Sequence, residues 1–308
     1  MLKVIKPASP FDFSKMLRRV KSHGKNNIVN ADLESKSYKR MVHVGNRPVL
    51  LNVKASGGID EAELLIDQPD DLNQEEKEEL NVIVTRMFST DIDLKQFYTQ
   101  FSGHRQIAPL ITSFYGLRLV TDPDLFESMV KIIVGQQVNL TFAGVLIDRL
   151  IDLAGEHLEV NGEPFSIFPA VEKMAALDYQ ELRELQFSQR KAEYIIDFAR
   201  MIADGKLDVE ALWGMSDEKV METLLPIRGV GRWTIECLLI FAMGRANVLP
   251  AADIGLRNGV RNAWELDYQP TEEDVRRLAE DWHPWSTYIT YYLWESLAAE
   301  PVVKDLQI

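Results

Sequence analysis

The stretch Met221–Arg261, METLLPIRGVGRWTIECLLIFAMGRANVLPAADIGLRNGVR, decides how this 308-residue chain is read. Leu224, Leu225 and Ile227 end one helical pattern, Gly229-Val230-Gly231 predicts a tight bend, and a helix resumes over Arg232 to Met243. Glycine reaches positive φ at little steric cost, and Val230 can plug the gap between the two helices. Amide N–H groups are then left at the start of the second helix. Orphan donors and the helix dipole both favour an anion there, phosphate above all. Downstream, Leu249-Pro250-Ala251-Ala252-Asp253 closes a loop and delivers one carboxylate at what reads as another helix start. A phosphate seat followed by a positioned carboxylate is a pattern for acting on nucleic acid. Each piece alone also has a plainer reading. Gly-x-Gly between helices serves as a turn, and Asp before a helix serves as an N-cap.

Composition narrows the class. Hydrophobic residues make up 46% and charged residues 26%, the balance of an ordinary globular protein long enough for about two domains. No apolar run is long enough to span a membrane, and the amino-terminal residues lack the apolar core of a secretory signal. One cysteine, Cys237, excludes an internal disulfide and any four-cysteine metal site, and the five histidines lack metal-ligand spacing. The expectation is a cytoplasmic, metal-free protein. Its net charge of −13 opposes phosphate binding, but the charge is unevenly distributed. Residues 60–93 hold twelve acids against Lys77 and Arg86, a solvated acidic face. Residues 228–261 hold Arg228, Arg232, Arg245, Arg257 and Arg261 against Glu236 and Asp253. A locally basic face on an acidic protein predicts modest affinity for undamaged DNA.

Residues 28–66 carry strand signals. Met41–Val44 and Val49–Val53 flank Gly45-Asn46-Arg47-Pro48, a hairpin connection, and Leu64–Ile66 follows a turn at Gly57-Gly58. Asn73 with Glu76 makes a capping box, and Leu80, Ile83, Val84, Met87 and Phe88 share one helical face. From about Phe114 the pattern is helical. Asp122-Pro123 predicts a helix start with proline at its first position. Leu125, Phe126, Met129, Val130, Ile132 and Ile133 form its buried side, and Gly135-Gln136-Gln137 follows. Residues 155–170 read as a loop, Leu182 to Phe198 as helix, and Thr271 as another helix start. Arg190-Lys191 fit a solvated helix face, with a reach to phosphate as the other reading. The carboxy-terminal cluster is Trp282-His283-Pro284-Trp285-Ser286-Thr287-Tyr288, with Tyr291 and Trp294 assigned to the core and His283 to the surface.

Leu224, Ile227, Gly229, Val230, Gly231, Trp233, Thr234, Leu249, Pro250 and Asp253 together resemble the helix-hairpin-helix DNA glycosylase superfamily. Within it the chain looks most like the alkylated-base (3-methyladenine) glycosylases. Phe11-Asp12-Phe13-Ser14 is similar to that family's amino terminus. The resemblance implies an α+β fold, with an antiparallel sheet-plus-helix domain over residues 1–112 and an all-α helix-hairpin-helix domain over residues 113–308. It further implies that Asp253 is the catalytic carboxylate, and that Ile227, Gly229, Gly231, Arg232 and Thr234 bind DNA. The Ile132–Val138 segment matches the family loop beside the extruded base, where Gln136 and Gln137 would support the vacated gap. Polar Gln137 stands where the best-known relatives carry an apolar wedge. Trp285 matches a pocket-lining tryptophan, and Trp282, Trp233 and Tyr288 join it as expected substrate contacts. A monovalent cation on the hairpin carbonyls, as in relatives, is the one ion this implies. The expected partner is duplex DNA containing alkylated bases, bound by a monomer.

The chemistry fits these residue types. An N-glycosidic bond breaks with positive charge building on the sugar. A fixed carboxylate stabilises that charge and can orient water. No second acid stands beside Asp253 in its loop. A base alkylated on a ring nitrogen already carries positive charge and leaves as a neutral molecule, so it needs no general acid. Tryptophan faces attract such a cation by about 0.5–2 kcal/mol. Two other readings remain open from the residues: a DNA-binding module without activity, and a glycosylase for oxidised or mismatched bases.

Overall fold

The computed structural model describes residues 2–23, 28–45 and 47–299. The α+β class is as expected. Five strands, β1 (Leu2–Ile5), β2 (Val29–Asp32), β3 (Ser37–Val44), β4 (Arg47–Ser56) and β5 (Glu63–Asp67), form one antiparallel sheet of order β1-β5-β4-β3-β2. The expected hairpin forms with a shorter connection, since Val44 pairs with Arg47 and His43 with Pro48, which places Arg47 and Pro48 in β4; Asn46 lies outside the described residues. Strand β4 shows the alternation of a half-buried strand, with Val49, Leu51 and Val53 all inside.

Helix signals are read well where capping is local. Asn73 caps the helix Gln74–Met87 with the reciprocal Glu76 bond, and Thr271 caps Glu272–Leu278 through Asp274 in the same way. Two expectations are corrected. The helix predicted from Asp122-Pro123 begins at Leu125, because the Asp124 carboxylate takes the Glu127 amide at 2.7 Å while the Asp122 side chain pairs with Lys131. Residues 155–170 are not simply a loop. Strands β6 (Glu156–Val160) and β7 (Glu163–Ile167) form a hairpin there, turning on Asn161 (φ +53°) and Gly162 (φ +79°). Two successive left-handed residues match the twist of the flanking strands. Phe165 and Ile167 pack on Met41 of β3.

By compactness the chain forms two units, Met1–Ile92 with Gly116–Gly244, and Asp93–Tyr115 with Arg245–Ile308. The sequence division at residues 112/113 does not coincide with these units, and the reason is aromatic. Phe97 packs against Trp285, Tyr288 and Tyr292 with centroids 5.6–6.0 Å apart, and the Tyr98 and Tyr292 hydroxyls are hydrogen-bonded at 2.9 Å.

In the first unit an ion pair is enclosed in the core. Arg40 of β3 meets Glu127 at 2.8 Å, with side chains 3% and 2% exposed, and Lys131 bridges Glu127 and Asp122. Burial pushes the Glu127 carboxyl up, but the charges of Arg40 and Lys131 outweigh it and hold the group well below the usual carboxylate range. A depressed carboxylate contributes stability that is present above its unfolded pKa and lost as pH falls through the folded one. Glu127→Gln should therefore cost about 3–5 kcal/mol at neutral pH by stranding a buried guanidinium. Its melting temperature should also vary less than the wild-type value below pH ~4.3, the ordinary glutamate value. Thermal melts from pH 7 down to pH 2 check both.

Candidate active site

The bend in the first unit follows the helix Asp217–Leu224 and leads into Arg232–Phe241. Val230 is 5% exposed and does plug the turn, its amide donating to Ile227 O at 3.0 Å. The two glycines are not equivalent. Gly229 sits at φ +87°, and a Cβ there would lie 2.3 Å from the Tyr194 ring. Gly231 is the N-cap of the second helix at φ −98°, without a side-chain cap, and a Cβ on it would meet nothing within 4 Å. The expectation that both glycines supply positive φ holds for Gly229 alone. Gly231 opens the helix start to whatever approaches it.

Ile227 and Trp233 are half-buried, Arg232 is exposed, and Thr234 is buried. Thr234 has a defined partner. Gln136 Nε2 donates to Gly229 O and to Thr234 Oγ1, both at 3.0 Å, so the segment after the helix Leu125–Gly135 is braced against the bend. Both protons of that amide are used this way. Two carbonyls of the bend thus already accept a donor: Ile227 O from the Val230 amide and Gly229 O from Gln136. Gln137 is exposed, at φ +55°. Lys191 departs from its expected solvated face: it is 9% exposed, and its Nζ donates to Val134 O at 2.6 Å. Burial pushes its ammonium pKa down.

In the second unit Asp253 is the N-cap of the helix Ile254–Ala263. Its Oδ1 accepts from Leu256 N at 2.7 Å and from Trp294 Nε1 at 3.0 Å. Trp294 is the residue that sequence reasoning missed, having been assigned to the core; it is half-buried and holds the carboxylate. Gly255 makes room for this contact, since a Cβ there would lie 3.0 Å from Asp253 Oδ1 and 3.1 Å from Trp294 Nε1. The other expected aromatic contacts lie deeper. Trp285 is 8% exposed, Trp282 and Tyr288 are fully buried, and Trp282 packs on Trp264 at 5.8 Å. His283 is exposed, as expected. Arg257 and Arg261 donate to Pro270 O and Gln269 Oε1, so part of the local basic charge serves loop structure. Among the described residues no cluster of acids, histidines or cysteines could hold a metal ion, and no helix is long and apolar enough to cross a membrane.

Residues 130–284, half of the chain, match the family model described as HhH-GPD superfamily base excision DNA repair protein. The chain belongs to that superfamily. Residues 4–129 of this HhH-GPD protein match the amino-terminal domain of 8-oxoguanine DNA glycosylase. A putative DNA-3-methyladenine glycosylase of Bacillus subtilis is 34% identical over 94% of this chain and 96% of its own length. A 3-methyladenine DNA-glycosylase from Archaeoglobus fulgidus superposes with a TM-score of 0.86 at 24% identity, covering 98% of this chain and all of that one. The Clostridium acetobutylicum 8-oxoguanine glycosylase/lyase bound to double-stranded DNA superposes with a TM-score of 0.74 at 18% identity and 97% of each chain covered. The last two likenesses concern the fold.

Proposed function

We propose that this DNA glycosylase excises purines alkylated on a ring nitrogen, of the 3-methyladenine and 7-methylguanine type, from duplex DNA. The observation that carries the reading is the Asp253 carboxylate, fixed by a backbone amide and an indole N–H. The target base must be flipped out of the helix at a cost of a few kcal/mol. The helix start at Gly231, which no side chain caps, grips a backbone phosphate with Arg232 beside it, and the Gln136 brace keeps that bend in shape. Asp253 stabilises the positive charge that grows on the sugar and orients water for attack. An alkylated base departs without a proton donor, which suits a loop that delivers one acid. Trp233 and Trp285 remain the proposed aromatic contacts to the cationic base; full burial of Trp282 and Tyr288 supports a packing role for those two. The relative from Bacillus subtilis bears a name of this activity. Incubation with methylated genomic DNA, followed by mass spectrometry of the released bases, tests the reading. Release of 3-methyladenine supports it, and release of oxidised bases alone overturns it.

The 8-oxoguanine reading has one observation in its favour, the match of residues 4–129. The two readings differ in nucleophile. In family members that also cut the strand, a lysine two residues after the second hairpin glycine attacks the sugar through a Schiff base. Trp233 stands there, and no lysine occurs from Val220 to Val303. Lys131 is held by Asp122 and Glu127, and Lys191 by Val134 O. The enzyme should therefore leave an intact strand with an abasic site. Borohydride added during turnover should trap no protein–DNA adduct, and strands should break only after alkali. An adduct mapping to a lysine would show a different chemistry.

A further inference from the structure

Arg228 stands immediately before the Gly229-Val230-Gly231 bend, where a free cation would add to phosphate attraction. It is not free. Its Nη2 donates to Glu193 Oε2 at 2.6 Å, and its guanidinium lies 5.4 Å over the ring of Tyr194, the same ring that packs against Gly229. The Glu193 carboxylate is itself held from the other side, because Gln189 Nε2 donates to Oε1 at 2.7 Å. The bond from Gln189 and then the charge of Arg228 keep its carboxyl below the usual range, so it is ionised at neutral pH. Arg232, on the far side of the bend, faces Glu236 at 3.8 Å. The Arg228 side chain is 65% exposed and Glu193 20%, so the cation sits outward with its counter-charge beneath it.

Such a surface pair does little for stability, and its effect on an approaching polyanion is larger. Beyond a Debye length of about 8–10 Å the two charges cancel. Closer in, a phosphate that engages Arg228 must displace or share it with a fixed carboxylate. We propose that Glu193 is a specificity-determining residue: by holding Arg228 it weakens binding to undamaged duplex, so that retention on DNA depends on contacts made with a lesion. This rests on the DNA-binding reading of the bend.

The test compares the full-length protein with Glu193→Gln, with Glu75→Gln as a control of equal charge change at an exposed acid on another helix, with Arg228→Gln, and with Arg228→Gln/Glu193→Gln. Each is titrated with an undamaged fluorescent duplex between 50 and 200 mM salt, after thermal melts establish that the variants are folded. Glu193→Gln should tighten undamaged binding several-fold at 50 mM salt and steepen the slope of log Kobs against log salt by about 0.9, one phosphate's worth. The control should do neither, and the gain should vanish in the double variant relative to Arg228→Gln alone. Equal tightening by Glu75→Gln, or a gain that survives loss of Arg228, reduces the effect to net charge and overturns the proposal. Unchanged affinity in Glu193→Gln overturns it as well. Failure of the wild-type protein to bind any duplex, lesion-bearing or not, would instead overturn the DNA-binding reading itself.

Discussion

Asp253→Asn is expected to lower single-turnover excision of 3-methyladenine by about 10²–10³-fold, the usual cost of removing one preorganised electrostatic group from an active site. Binding to lesion-bearing DNA and the melting temperature should change little. The substitution is informative because Asp253 does two things at once. As an N-cap it takes the Leu256 amide, and an asparagine oxygen does that nearly as well. The same oxygen can keep the bond from the Trp294 indole. Only the negative charge is lost. If Asp253 were merely a cap, the variant would excise at close to the wild-type rate; excision within tenfold of wild type sinks the catalytic assignment. Trp294→Phe complements it, keeping the ring and losing the donor. A hydrogen bond to a charged group is worth about 1.5–3 kcal/mol, so roughly a ten- to hundredfold slowing follows if the indole sets the carboxylate's orientation.

How much of this could be read in advance follows the range of each interaction. Asn73 with Glu76 and Thr271 with Asp274 are capping contacts three residues apart, and both were legible. The Gly229 bend and the place of Asp253 at a helix start were legible for the same reason. The β6–β7 hairpin was overlooked although Asn161-Gly162 is a strong short-range turn signal. There the polar Glu156-His157 and Glu163-Pro164 disguised the strands. Trp294 could not be assigned from helical periodicity, which reports that a residue lies on an inward face and not what it touches; its bond reaches back to residue 253. Lys191 fits a solvated helix face by spacing, yet it is buried because a carbonyl at the end of another helix accepts its ammonium. The grouping of residues 93–115 with the carboxy-terminal segment likewise depends on ring packing between Phe97 and Trp285, which no local pattern encodes.

The two glycines of the bend should separate fold from function. Gly229→Ala places a methyl 2.3 Å from the Tyr194 ring on a residue held at φ +87°, where an L side chain is strained whatever the space. It should lose at least about 2 kcal/mol of stability, since strained backbone alone costs about 1–3 kcal/mol and ring overlap adds to it. Gly231→Ala faces neither difficulty, with ordinary φ and open space around the added methyl. Its melting temperature should match wild type. Yet the methyl would stand at the mouth of the uncapped helix start, where a phosphate must come within hydrogen-bonding distance of backbone amides. Loss of one charge-assisted bond there weakens DNA by roughly ten- to hundredfold, on lesion-bearing and undamaged duplex alike. Melting curves and fluorescence titrations of both variants decide the matter. A folded Gly231→Ala protein that binds DNA as wild type would make the bend a structural turn. The phosphate grip would then have to come from elsewhere, and Gly231 would be an N-cap and nothing more.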